Sequence, residues 1–117
     1  MSGQKLVALT RMLAERTERG ELKWEESERP GVFQVSFSNS SVRILHRDSR
    51  LQRGSTEYVI SIINSLGVEV DEIGDESMPT EGAYSLMKQM YEQARRKAMG
   101  VDTAIDSIIE DLESGIF

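Results

Sequence analysis

Between Glu81 and Leu112, apolar side chains return at steps of three and four: Tyr84, Met87, Tyr91, Ala94, Ala98, Val101, Ile105, Ile108 and Leu112. At 3.6 residues per turn, such spacing lines one side of a helix. A stripe of that length needs a partner, so the upstream chain is expected to supply a sheet and a short helix that cover it. A single helix over this span would run about 45 Å, against roughly 20 Å for short strands. Gly100 is the weak point, because glycine costs about 1 kcal/mol inside a helix. Asp102 can cap a fresh start, so two helices are expected, at 82–99 and 102–114. Left unbroken, the stretch would bury its overhang by pairing with a helix of another chain.

The upstream residues supply the cover. Leu6, Leu9 and Leu13, with Val7 and Met12, make an apolar stripe over 4–19, and Gly20 ends that helix. Leu22 and Trp24 alternate with Lys23 and Glu25, the period of a half-buried strand over 21–26 with Trp24 as a core anchor. After the Arg29-Pro30-Gly31 turn, Phe33, Val35 and Phe37 alternate with polar residues and point to the helices. Ser38 to Ser41 reverses the chain into Val42–Asp48, where Val42, Ile44 and His46 share one face and Arg43, Leu45 and Arg47 the other. A polar loop, 49–56, leads to the β-prone run 57–64, apolar on both faces and therefore an interior strand. A last strand, 68–73, carries Glu69, Asp71 and Glu72, as suits an exposed edge. Thr80 is the expected cap of the following helix, with Glu81 in its first turn.

These elements add up to an α+β fold: an antiparallel four- to five-stranded meander sheet with the N-terminal helix and the C-terminal helices packed on one face. The length of 117 residues matches one domain spanning 1–117. No window approaches the roughly 18 apolar residues of a membrane span, and the first twenty residues lack the basic start and apolar run of a signal peptide. With no cysteine in the chain, a reducing, cytoplasmic setting is the expectation.

The chain resembles a group of small uncharacterised bacterial α+β proteins that open with a leucine-rich helix and a Thr-x-x-Gly-x-Leu-x-Trp element, here Thr17, Gly20, Leu22 and Trp24. The likeness continues through Tyr58–Asn64 and Gly67, and in Leu86, Tyr91, Ala94, Arg95, Asp102, Ile105 and Asp106. It implies the fold and a bacterial cytoplasmic setting, and carries no known activity.

Chemistry is thinly represented. No nucleophile elbow, phosphate-cradling glycine loop or zinc spacing occurs, so no catalytic residue, cofactor or metal is assigned and the chain is read as a non-enzyme. His46-Arg47-Asp48 matches the kinase catalytic loop by accident, since the glycine-rich loop and the strand lysine are missing. The carboxylates of Asp71, Glu72, Asp75, Glu76 and Glu81 fit no calcium loop and read as solvated edge and loop groups. A net charge of −6 opposes binding to duplex nucleic acid. Arg43, His46, Arg47 and Arg50 form a local basic cluster that could hold an anion, although a solvated strand end is the plainer account.

One surface stands out in the pattern. The sheet face turned from the helices would carry Leu45, Arg47, Val59 and Ile63, a mixed patch of the kind that receives a protein partner. The expected function is therefore a cytoplasmic protein-protein interaction module, docking another protein or a second copy of itself through that patch or through the terminal helices. A chaperone or immunity protein for a secreted effector or toxin is one alternative. A small ligand-binding protein or enzyme using His46 is the other.

Overall fold

The computed structural model describes residues 2–117. Its elements run α1 (Ser2–Glu18), β1 (Glu25–Glu26), β2 (Phe33–Ser36), β3 (Ser41–Asp48), β4 (Thr56–Ile63), β5 (Glu69–Gly74), a 3-10 turn (Asp75–Ser77), α2 (Ala83–Ala98) and α3 (Val101–Ser114). The five strands form one antiparallel sheet in the order β1-β2-β3-β4-β5, the expected α+β meander. Neighbouring strands pair consecutively because each reversal is too short to cross another strand.

Register places the core. Phe33, Ile44, Ile60 and Ile73 stand opposite one another across β2 to β5, and all four are buried. Side chains directly opposite in a sheet share a face, so this row makes a continuous apolar band. Onto it α2 lowers Met87, Met90 and Ala94, none more than 1% exposed, while α1 adds Leu13 and Ala14 to the same cluster. Burying each of the methionine and leucine side chains is worth about 1.5–3 kcal/mol.

Three local expectations need correction. Only Glu25–Glu26 of the segment 21–26 is strand. Left-handed Gly20, at φ 72°, turns the chain sharply off α1, and the Trp24 indole N–H donates to Thr17 Oγ1 at 3.0 Å. Trp24 is thus a buried core anchor, as read from the sequence, but one tied back to a helix rather than held in a ladder. Phe37 leaves the strand: its N–H closes the hairpin on the Ser40 carbonyl at 2.8 Å, and the residue, 48% exposed, stays outside the core cluster instead of joining it beneath the helices. Thr80 does not cap α2. The cap position is Gly82, at φ 81° with no side-chain bond, and the Thr80 hydroxyl instead accepts a long contact from Arg11 at 3.4 Å.

The long helical stretch does break at Gly100, which adopts φ 62°. An L-residue with a Cβ resists that left-handed conformation, so glycine is the residue that permits the turn. Asp102 is not the cap but lies in the first turn of α3, ion-paired with Arg96 of α2 at 2.5 Å. The two halves of the apolar stripe then meet different fates. In α2, Met87, Tyr91 and Ala94 are buried, whereas α3 has no buried residue at all.

Candidate functional site

On β3 and β4 the two-residue period separates the expected site residues by face. Arg43 opposes Ser61, Leu45 opposes Val59 and Arg47 opposes Glu57 on the side away from the helices. There the polar side chains satisfy one another. Arg43 donates to Gln34 at 2.8 Å and to Glu28 at 2.7 Å, and Arg47 donates to Glu57 at 2.9 Å and to Glu72 at 3.2 Å. The two glutamates hold the Arg47 guanidinium above its usual range, the bond to Glu57 contributing most. Behind them Gly74 leaves room for the buried Glu57, whose carboxylate would lie 2.1 Å from a Cβ placed there. Val59 is 0% exposed and offers no surface, while Leu45 and Ile63 are half-buried in an open groove of about 460 Å³ lined largely by Arg, Gln, Glu and Ser. The expected patch is therefore a polar lattice over a covered valine.

His46 is brought to the opposite face. Its ring meets Tyr91 edge-on at 5.3 Å between centroids and Tyr58 at 6.2 Å. Tyr58 in turn packs at 5.7 Å from Tyr84, and Tyr91 donates its hydroxyl to the Gly31 carbonyl at 2.6 Å. Burial pushes the phenols of Tyr58 and Tyr91 above their ordinary value. Such rings build a wall. The four members of the basic cluster are not assembled: Arg43 and Arg47 lie on one face already paired, His46 lies on the other, and Arg50 lies exposed in the loop after β3.

The carboxylates also sort differently from the sequence reading. Asp75 is not solvated but 9% exposed, with Oδ1 accepting the Tyr58 N–H at 2.6 Å. Burial raises its carboxyl above the usual range, and nearby Glu57 and Glu76 add to the shift. Glu72 is engaged with Arg47, and Glu76 accepts the Ser49 hydroxyl. Among the described residues no group of three or more His, Asp or Glu side chains is arranged to hold a metal ion, and no helix is long and apolar enough to cross a membrane.

What remains open is α3. Ile105, Ile108, Ile109 and Leu112 are between 45 and 60% exposed and follow the helical three-four spacing. Exposed large apolar residues are ordinary singly, but a contiguous row of them marks a binding surface. At 100° per residue, Asp102, Asp106 and Glu113 fall along one margin of this row and Asp111 along the other. The spacing was visible in the sequence; its exposure was not, because periodicity shows that a stripe exists without showing what covers it. Charge counted element by element would have helped, since α3 holds five carboxylates and neither Lys nor Arg. Comparison with known proteins finds no matching family model, no similar curated protein and no similar solved structure.

Proposed function

We propose that this chain is a non-enzymatic protein-protein interaction module whose docking element is α3. The observation that carries the reading is the apolar row from Ile105 to Leu112, left uncovered by a molecule that buries Met87, Tyr91 and Ala94 of the same periodic stripe in α2. Exposed apolar area of this kind gains about 25 cal/mol for each Å² removed from water, a driving force the isolated chain leaves unused. The sheet face has less to offer a partner, because its arginines are already engaged and Val59 is covered. A small-molecule reading centred on His46 has less support still, because its neighbours are packed rings and the arginines lie behind the sheet.

The test compares wild type with the double variant Ile108→Ser/Leu112→Ser. Both positions lie outside the core cluster, so the variant is expected to fold as wild type by circular dichroism. A partner recovered stoichiometrically from native lysate by wild type is expected to be lost with the variant, with light scattering giving the size of the complex. Equal recovery by both proteins would remove α3 from the reading.

A further inference from the structure

Resting on the interaction-module reading, we propose that α3 receives a basic amphipathic helix, one with an apolar stripe flanked by Lys or Arg. The molecule's charge is not spread evenly. All 14 Lys and Arg lie outside α3, alongside 15 of the chain's 20 carboxylates, so nearly the whole net charge of −6 resides in this one helix. The rest of the chain is close to neutral.

Within α3 three of the five acids also sit at the wrong end. A helix C-terminus carries roughly half a negative charge from its free carbonyls, and cations there stabilise it. The last turn has no basic residue, while Glu110, Asp111 and Glu113 crowd the same end. With 14 residues, α3 is near the length at which an isolated helix is marginal in water. A cationic neighbour relieves both defects while its apolar side chains cover Ile105, Ile108 and Leu112.

The same charges select against other occupants. Asp102, Asp106 and Glu113 share one margin of the stripe, so an antiparallel second copy of α3 would set these carboxylates against their own counterparts. An anionic membrane surface meets the same repulsion. A helix with Lys or Arg at its margins meets attraction on both sides of the seam, and like-charge rejection of the wrong partners supplies specificity.

The probe is a synthetic helix with a Leu/Ile stripe and Lys margins, set against a second peptide with the same stripe and Glu margins. Binding to the full chain is followed by fluorescence anisotropy, and self-association by light scattering. The Lys peptide is expected to bind and the Glu peptide not to. Ile108→Ser/Leu112→Ser is expected to weaken the Lys peptide at least about tenfold, as two truncated apolar anchors imply. Neutralising the margin with Asp106→Asn and Glu113→Gln, which leaves the Arg96–Asp102 pair in place, is expected to weaken it comparably, whereas Asp71→Asn/Glu72→Gln on β5 should leave it unchanged. Binding that ignores the stripe variant, or that falls equally with the β5 variant, would overturn the proposal as mere attraction to an acidic protein. Binding to phosphatidylserine vesicles in place of the peptide would overturn it too. A dimer that Ile108→Ser/Leu112→Ser dissolves would also overturn it, giving the stripe to a second copy while sparing the interaction-module reading. If neither peptide, vesicle nor second copy engages α3, the basic-helix proposal is overturned, while the interaction-module reading stands or falls on whether the lysate partner is lost with Ile108→Ser/Leu112→Ser.

Discussion

Asp75 occupies a position that a carboxylate fills at a cost. Its Oδ1 accepts the Tyr58 N–H, yet the group is almost wholly buried, and burial raises its carboxyl above the ordinary value of 3.8. A raised carboxyl means that the folded state holds the proton more tightly than the unfolded chain does. The stabilising contribution is therefore fully present below the unfolded value and is lost as pH rises through the folded one. An asparagine keeps an oxygen to accept the same bond and carries no charge at any pH. Asp75→Asn is accordingly expected to be more stable than wild type at pH near 7, with the advantage shrinking as pH falls toward 3.8. Urea denaturation midpoints of the two proteins, taken across that range, check it; an advantage that grew on acidification would show that the charged form is the favoured one. The sequence placed Asp75 in an acidic loop and gave no sign of this burial, because the bond that draws it inward comes from a backbone N–H on β4, 17 residues earlier.

Among the elements, most boundaries were legible from period and composition together. Alternation marked β2 and β3, a β-prone run apolar on both faces marked β4, an acidic edge marked β5 and three-four spacing marked the helices, to within a few residues. The misreadings share a cause: a local pattern can be satisfied by something other than its usual partner. Leu22 and Trp24 alternate with polar residues, yet Trp24 is drawn to Thr17 on α1. Phe37 continues the alternation of β2 but falls in the hairpin. Gly100 was the most informative single residue, since its backbone conformation decides where α2 ends. Gly100→Ala meets a left-handed backbone that costs an L-residue roughly 1–2 kcal/mol, while alanine is the best helix former. With no buried residue in α3 to hold the bend, fusion of the two helices is the cheaper outcome. The chain lacks cysteine, so spin labels at Lys88→Cys and Asp111→Cys report cleanly. Their backbone separation is expected to lengthen to about 35 Å, that of a straight helix, in the Gly100→Ala background. An unchanged distance would mean that the bend is held by contacts such as Arg96–Asp102.

For the molecule as a whole, the α+β meander was legible and the position of its last helix was not. A compact chain of this length has a radius of gyration of about 13 Å, whereas the value here is 16.2 Å, with extents of 58 × 36 × 25 Å. The excess is that of a body with an arm, consistent with an α3 that buries nothing. Removing residues 101–117 is expected to leave the melting temperature within a few degrees of wild type while scattering shows a more compact particle; a collapse in stability would mean that α3 supports the core through contacts its exposure hides. The far side of the sheet illustrates a different economy. Between the pairs Ile62–Asp71 and Ile63–Glu69, β5 carries one extra residue, Val70, and the strand is lined with exposed acids. A regular apolar edge would invite strand after strand to add to it, whereas a kinked and charged one ends the ladder at five. In a crowded solution the consequence is a division of labour in stickiness: the edge that could recruit copies without limit is blunted, and the apolar surface left open is a helix, which offers no backbone for a fibril to grow on.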